Sequence, residues 1–225
     1  MKIIQGDVNL RFLHLKEIPD SIAMDECTGY YDVSVNRLIS LKNAAQKADC
    51  FDCSKNNLTS LIGGPKFVTD IYKCNHNKLT SLDGIAKFIG HETKYSMTLF
   101  CGYNKITSLV GHGFESNEFY DFRVQDNNLT SLNGSPTIVE ATYDCSNNPI
   151  TSFFGGPREI RRHLMANDLP KLTSLDGLPY RVRGNIYLSK NDMIRIFPDL
   201  TKYDTDIMRE YVSERCEVGD NIYFD

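Results

Sequence analysis

The chain lacks the apolar segments that carry a protein into or across a membrane. No apolar run approaches the roughly 20 residues that a membrane-spanning helix needs. The N-terminal residues Met1 to Asp7 lack the long apolar stretch of a secretory signal peptide. These two absences predict a protein of the cytoplasm that does not bind membranes.

The chain also lacks the short motifs of common catalytic chemistries. It has no glycine-rich phosphate-binding loop with a lysine, no Gly-x-Ser-x-Gly and no His-Glu-x-x-His. Its five histidines are scattered along the chain, so they do not suggest a shared metal site. We therefore predict a non-enzymatic protein with no catalytic residues, no cofactor and no metal ligands.

Cysteine is present, but its pattern does not predict disulfides or zinc. The count of seven is odd, and Cys50-x-x-Cys53 lacks a second pair at metal-binding spacing. If these residues form a strand, the two side chains point to opposite faces. Four of the seven cysteines, Cys53 among them, occupy the same position of a repeated phrase. This position predicts small buried core residues in a reducing compartment. That set is Cys53, Cys74, Cys101 and Cys145.

What the chain does contain is a repeat. The phrase Asn-Asn-Leu-Thr-Ser-Leu at Asn56–Leu61 returns with small changes at Asn77–Leu82, Asn104–Leu109 and Asn127–Leu132. Degenerate copies extend the series in both directions. A period of about 20–29 residues with this apolar phrasing is typical of leucine-rich repeats. The recurring asparagines are Asn36, Asn56, Asn77, Asn104, Asn127, Asn148, Asn167 and Asn191.

Apolar residues alternate just before each recurring asparagine, which predicts a short strand with one buried face. One copy departs from this pattern, because Arg162 stands where the first apolar residue is expected, and its strand should be twisted, bulged or frayed. The stacked strands should form a parallel sheet. The inward pairs are Tyr31/Val33, Phe51/Cys53, Tyr72/Cys74, Leu99/Cys101, Phe122/Val124, Tyr143/Cys145 and Ile186/Leu188.

The asparagine itself has a predicted structural role. Where the chain leaves the strand, its backbone N–H and C=O groups lose their sheet partners while still partly buried. A side-chain amide carries both a donor and an acceptor, so it can satisfy them. Stacked turns should therefore show a ladder of asparagine amides.

The repeated Leu-Thr-Ser-Leu-x-Gly wording resembles the leucine-rich-repeat family, most closely its short-period bacterial and tailed-bacteriophage members. The resemblance implies an α/β-type, right-handed solenoid. It has a parallel concave β-sheet, short irregular convex returns and a C-terminal helical cap. We expect an N-terminal cap and degenerate first repeat over residues 1–25, about eight repeats over 26–198 and a cap over 199–225. Within the cap, apolar spacing predicts a helix over Asp206–Glu217.

The resemblance also implies protein recognition on the concave sheet. Outward strand positions carry an apolar and aromatic cluster that we take as the anchor for a protein partner. A second candidate, around Arg158 and Arg162, adds guanidinium groups that could hold an anion. The predicted partner-binding residues are Ile71, Lys73, Phe100, Tyr103, Arg123, Arg161, His163 and Tyr187.

Three functional hypotheses remain open. The first is a phage- or bacterium-encoded binding protein that inhibits or retargets a host or immune factor in the host cytoplasm. The second is a structural or assembly subunit of a larger particle. The third is a nucleic-acid-associated regulator that uses a band rich in Lys and Arg over residues 158–195, although this band is not the continuous basic stripe expected for nucleic acid. The sequence does not name the partner.

Overall fold

The chain forms a parallel-strand solenoid with few helices. The structure, a computed structural model, describes residues 2–88, 97–114, 118–198 and 204–225. It divides into two compact units, Met1–Ile106 and Thr107–Asp225, called unit 1 and unit 2 below. The parallel pairing of strands confirms the predicted sheet within each unit.

Unit 1 is built around three long strands. β1 and β2 pair with β3, β3 pairs with β4, β4 with β5, and β5 with both β6 and β7. A short 3-10 helix, Asp20–Ile22, lies in the first return. The strands are β1 (Ile3–Ile4), β2 (Val8–Asn9), β3 (Glu26–Asp32), β4 (Lys47–Asp52), β5 (Phe67–Lys73), β6 (Lys87–Phe88) and β7 (Met97–Phe100).

Unit 2 contains shorter strands and two helices. Its strands are β8 (Glu118–Arg123), β9 (Ile138–Val139), β10 (Thr142–Asp144), β11 (Glu159–Ile160), β12 (His163–Ala166), β13 (Arg181–Val182), β14 (Ile186–Leu188), β15 (Glu217–Val218) and β16 (Ile222–Phe224). The main row runs β8–β10–β12–β14–β16, and a second row runs β8–β9–β11–β13–β15. The helices are α1 (Lys190–Ile196) and α2 (Thr205–Ser213).

In both units the chain pairs with its neighbour at two successive stretches, and a bulge or a break separates them. In unit 1 the register shifts between Cys27 and Tyr30, inside a continuous strand. In unit 2 the chain leaves the sheet between the rows, and Arg161 and Arg162 occupy one such break, between β11 and β12. The register pairs Leu164 with Tyr143, so the inward pair of this turn is Leu164/Ala166, and the expectation that Arg162 replaces an inward residue was wrong. The second row of strands was not predicted.

The core follows the predicted pattern. Both members of each inward pair are buried, and their exposed fractions do not exceed 1%. The leucines of the return phrase are buried with them, including Leu58, Leu61 and Leu129. Because alternate residues of a strand point to opposite faces, this result sets which side chains remain available on the outward face.

The asparagine ladder is present, and each amide joins two successive turns. Asn56 Oδ1 accepts a hydrogen bond from the N–H of Leu38 in the preceding turn (2.9 Å). Asn56 Nδ2 donates to the carbonyls of Val33 (3.1 Å), Cys53 (3.1 Å) and Ser54 (3.2 Å). Asn36, Asn77, Asn104 and Asn148 show the same donor and acceptor pattern. Each turn therefore depends on a side chain of the next.

The ladder changes near the C-terminal end. The assignment of Asn167 to the ladder was wrong, because its carbonyl accepts from the Asn147 N–H (3.0 Å), as that of Ser54 accepts from Val35, and Leu169 therefore stands at the ladder position. The buried Oδ1 of Asn167 has no hydrogen-bond partner in the described part of the chain. In the following turn Asn191 is exposed, so its assignment to the ladder was wrong. The buried Asp192 takes that role and accepts from the N–H of Leu169 (2.7 Å). Arg195 donates to the other Asp192 oxygen (2.9 Å) and balances the charge.

The residue immediately before most recurring asparagines has a left-handed backbone. The φ angles are +52° for Val35, +53° for Lys55, +54° for His76 and +57° for Tyr103. This conformation costs an L-residue about 1–2 kcal/mol. It also takes the residue out of the strand, so the turn, and not the sheet, sets the direction of these side chains.

The glycine of the repeated phrase also has a backbone reason. Gly134 has a φ of +93°, and a Cβ there would lie 2.4 Å from the Leu109 carbonyl oxygen. Gly177 has a φ of +82° and would meet the Phe154 amide nitrogen at 2.3 Å. Only glycine fits where one return crosses the backbone of the preceding one.

The C-terminal segment differs from the prediction in detail. The helix expected over Asp206–Glu217 is α2, Thr205–Ser213, capped by the Asp204 side chain. It ends earlier because Glu217–Val218 and Ile222–Phe224 are strands that pair with β13 and β14. These strands continue both rows of unit 2. That the segment serves as a cap remains a prediction.

The ladder yields a matched test at two positions of the same phrase. Asn56→Ala should lower the free energy of unfolding by about 1–3 kcal/mol, since it leaves buried backbone groups without partners. Asn191→Ala should change it by less than about 0.5 kcal/mol, because this side chain is exposed. Urea unfolding followed by circular dichroism measures both. Equal losses at the two sites would contradict the assignment of the ladder.

Candidate functional site

Four predicted anchor residues lie on the outward side of unit 1. Ile71 and Lys73 belong to β5, and Phe100 ends β7 directly opposite Lys73. Tyr103 follows in the turn, with 45% of its surface exposed. The rings of His76 and Tyr103 stack, with centroids 4.2 Å apart and planes 8° from parallel. Two turns of unit 1 therefore present a preformed aromatic pair.

Lys73 is the centre of an outward-facing network. Its ammonium nitrogen lies 5.5 Å from the ring centroid of Tyr30 and 5.8 Å from that of Phe100. It also donates to the Tyr30 hydroxyl (3.1 Å), which in turn donates to Asp52 Oδ2 (3.0 Å). Burial and the Asp52 carboxylate raise the pKa of Tyr30. The cation is thus held between two aromatic faces, in an arrangement that favours a fixed position.

Several outward positions prove to be structural. The residues two before the asparagine, such as Ser34, Ser54 and Ser146, are buried. Asp52 and Asp144 are also buried, and each accepts a hydrogen bond from the backbone N–H two residues later, at 2.9 and 3.1 Å. They shape the turn that leaves the strand. Fewer side chains are therefore exposed on the outward strand face than strand alternation alone predicts.

The other predicted residues belong to unit 2 and do not form one group. Arg123 forms an ion pair with Asp121 (3.3 Å). His163 Nδ1 accepts a hydrogen bond from the Asn185 N–H (3.2 Å), and its ring lies 6.3 Å from that of Tyr187. These contacts place His163 and Tyr187 together on β12 and β14.

Tyr223 extends this aromatic row and was missed. It pairs with Tyr187 across β14 and β16, and their rings stack with centroids 5.1 Å apart. Its exposed fraction is 44%. A sequence signal existed, because Asn185-Ile186-Tyr187 is repeated as Asn-Ile-Tyr at residues 221–223. The last repeat was overlooked because α1 and α2 separate it from its neighbour.

Arg161 is engaged inside the protein. It forms ion pairs with Glu140 and with Glu159, the latter at 3.9 Å. Glu159 is buried and also accepts from Arg183 Nε (3.0 Å) and Nη2 (2.8 Å) and from the Tyr180 hydroxyl (3.1 Å). The hypothesis of an anion site at Arg161 therefore loses its main donor to internal carboxylates.

The same pairing accounts for much of the basic band over residues 158–195. Arg181 binds Glu217 through two hydrogen bonds of 2.9 and 2.7 Å, and Arg195 binds Asp192. Together with Arg161 and Arg183, four of its arginines face carboxylates. A paired guanidinium attracts a phosphate far less than a free one, which weakens the nucleic-acid hypothesis.

The cysteines are packing residues in the described structure. Cys53, Cys74, Cys101 and Cys145 are buried free thiols, as predicted, whereas Cys50 is half-buried. Burial raises the pKa of Cys101 to about 12, and burial with the nearby Asp70 raises that of Cys50 to about 11. A thiol becomes a ligand or nucleophile only as the thiolate. Among the described residues, no group of three or more metal-ligating side chains comes together.

A surface groove of about 560 Å³ lies in unit 2 where two returns enter their strands. It is lined by the Asn133–Ile138 and Gly155–Gly156 segments, with Glu118 and Arg158 as the charged residues. These two groups do not make the set of neighbouring nucleophile, base and orienting residue that covalent catalysis uses. Within the described chain, no helix has the length and apolar character to cross a membrane.

The fold defines a class, a parallel-strand solenoid assembled from a short repeat. Comparison of the chain with protein-family models, with curated protein sequences and with solved structures finds no match.

The charge network of Glu159 makes a pH-dependent contribution to stability. Burial alone raises the pKa of Glu159, but the hydrogen bonds from Arg183 and Tyr180 outweigh it and leave the pKa lowered. A lowered folded-state pKa stabilises the protein above the unfolded pKa of about 4.3, and that stability is lost as the pH falls through the folded value. Glu159→Gln should therefore cost about 1–3 kcal/mol at pH 7 and much less near pH 3, measured by urea unfolding.

Asp144→Asn serves as the control of opposite sign. Burial raises the pKa of Asp144, so its charged form disfavours folding as the pH rises above the usual value of 3.8. This variant should be at least as stable as the native chain at pH 7 and lose that advantage in acid. A pH-independent loss in Glu159→Gln would show that the carboxylate acts only by packing.

Thiol titration tests the burial of the cysteines. In the native protein at pH 8, a chromogenic disulfide reagent should react only with Cys50. That reaction should be on the order of 100-fold slower than with free cysteine, because so little thiolate is present. All seven thiols should react in denaturant. Rapid native labelling that survives Cys50→Ser would contradict the packing assignment.

Proposed function

We propose that this chain is a non-enzymatic leucine-rich-repeat module that binds a protein partner on its outward strand face. The observation that supports it most is the Lys73 network of unit 1, where a cation is held between Tyr30 and Phe100. A solvated sheet needs no such arrangement, whereas interfaces use rigid aromatic groups with polar neighbours as anchors.

The His76–Tyr103 stack extends this surface by one turn. Tyr103 shares its left-handed backbone with the equivalent residue of other turns, and with 45% of its surface exposed its ring is available to a partner. The proposed anchor of unit 1 is therefore Ile71, Lys73, Phe100 and Tyr103, with Tyr30 added by the structure.

Unit 2 supplies the second part of the proposal. Its outward face carries His163, Tyr187 and Tyr223 on three adjacent strands. We take this row as a further contact region for the same class of partner. Arg123 and Arg161 contribute less than the sequence predicted, because both already form ion pairs with carboxylates.

The biological setting follows from the resemblance. A phage- or bacterium-encoded module of this kind would act in the host cytoplasm by inhibiting or retargeting a host or immune factor. Fold alone does not establish such a role, since function resides in the site that a fold carries. The partner must therefore be identified by experiment.

Affinity capture tests the anchor directly. The tagged native chain should retain one stoichiometric protein from bacterial lysate. Phe100→Ala with Tyr103→Ala should weaken the purified complex by about 2 kcal/mol or more, roughly thirtyfold in Kd, as for other buried aromatic anchors. Calorimetry with the purified partner measures the change.

A matched double variant controls for the loss of exposed apolar surface. Ile62→Ala with Phe154→Ala removes side chains that are 68% and 62% exposed in the returns, away from the strands. It should bind like the native chain. Equal weakening by both variants, or binding that is insensitive to the anchor variant while it remains folded, would rule out the outward face of unit 1.

A further inference from the structure

Five strand-to-return turns of unit 1 carry positive charge and no carboxylate. The five segments are residues 8–16, 33–38, 53–58, 74–79 and 101–106, and none contains Asp or Glu. This is unexpected in a chain with a formal charge of −4. The exposed cations of these segments, called the basic rim below, are Arg11, Lys16, Arg37, Lys55, Lys78 and Lys105.

The asparagine ladder sets the spacing of the rim. Arg37, Lys78 and Lys105 each follow a ladder asparagine directly, and Lys55 precedes one. Equivalent positions in adjacent turns of a sheet lie about 4.8 Å apart. Backbone hydrogen bonds from Val35 to Ser54 (3.0 Å) and from Lys55 to Asn75 (2.9 Å) tie neighbouring turns together. The backbone that carries the charges is therefore ordered before any partner binds.

These cations differ from the arginines of unit 2 in their surroundings. None of the six forms an ion pair with another residue of the described chain. In unit 2, by contrast, Arg161, Arg181 and Arg183 all face carboxylates. An unpaired cation retains its full attraction for an external anion. The rim thus presents six exposed cations that no carboxylate of the described chain neutralises.

Exposed apolar residues border the rim at its N-terminal end. Phe12 is 59% exposed and Leu13 54%, and the Arg11 guanidinium lies 4.5 Å from the Phe12 ring centroid. Asn36 binds the Leu10 carbonyl (2.8 Å) and the Leu15 N–H (3.0 Å), so the loop that carries Phe12 and Leu13 is held at both ends.

A third apolar group lies in the next turn. Ile39 donates its N–H to the Lys16 carbonyl (3.3 Å), which places it beside the rim, and its exposed fraction is 69%. Aliphatic side chains gain nothing from a phosphate backbone, whereas they bury area against a protein. This border therefore favours a protein partner over a nucleic acid.

We propose that the basic rim binds an acidic segment of the protein partner, with apolar residues that cover Phe12, Leu13 and Ile39. This inference rests on the proposed function, because it names the chemistry of the partner whose anchor is the outward face. The strand face of the same unit carries the carboxylates of Asp32 and Asp70, whereas the rim segments carry none. A polyanion confined to the rim therefore meets only cations, and a protein that also covers the strand face must present positive groups there.

Charge reversal with a defined probe tests the rim without the natural partner. The probe is fluorescein-labelled poly-L-glutamate of about 20 residues, and anisotropy measures its Kd in low salt. Arg37→Glu, Lys55→Glu and Lys78→Glu together should weaken binding by about tenfold or more. Lys42→Glu, Lys66→Glu and Lys87→Glu make the same change of charge in unit 1 outside the rim, and they should weaken it less than about twofold.

Three outcomes would overturn the inference. The first is the absence of poly-L-glutamate binding to the native chain, and the second is equal weakening by the control triple and the rim triple. The third is tighter binding of an oligothymidine of equal length that depends on the same rim residues, which would assign the rim to nucleic acid. Thermal melting confirms that both triple variants are folded, since all six positions are exposed.

The partner captured by the native chain separates this inference from the proposed function. If the rim triple loses that partner while the control triple keeps it, both stand. If the rim triple retains the partner and Phe100→Ala with Tyr103→Ala loses it, the anchor stands and the acidic rim partner is wrong. If no partner is captured, the proposed function fails, and the poly-L-glutamate measurement still decides whether the rim selects acidic chains.

Discussion

Each turn of this protein is completed by a side-chain amide that belongs to the next turn. The Leu38 N–H, for example, has its acceptor in Asn56, whose amide also reaches the carbonyl of Val33. A buried backbone group without a partner costs about 1–3 kcal/mol, so a turn is stable only beside its neighbour. Stability in each unit is then a sum over adjacent turns, as expected for a repeat protein.

The ladder changes towards both of its ends. Leu13 occupies the asparagine position of its turn, and its side chain is exposed. Leu169 occupies that position near the other end, and its N–H is bonded by the buried carboxylate of Asp192, whose charge Arg195 balances. The residues that depart from the repeat thus lie outside the regular middle of the ladder.

Charge is used differently in the two units. In unit 2, Glu159 collects Arg183, Tyr180 and Arg161 around one buried carboxylate, so cations that look available in the sequence serve the fold. In unit 1 every charged residue of the five rim segments is Lys or Arg, and the six exposed cations form no ion pair within the described residues. A count of charges along the chain cannot separate these cases, because pairing depends on which turns are stacked. The proposed recognition by unit 1 follows from this difference.

Local pattern alone determined the parallel sheet, the inward pairs and the amide ladder from Asn36 to Asn148, since a fixed period and strand alternation dictate them. It misassigned Asn167 and Asn191, where the spacing of the repeat changes. The tertiary structure decided everything that depends on contacts between turns. It buried Asp52 under the Tyr30 hydroxyl and stacked His76 on Tyr103. It also added β16 to the sheet of unit 2 after an intervening helix. Such contacts join residues that the sequence separates by twenty or more positions, and their geometry exists only once the turns are stacked.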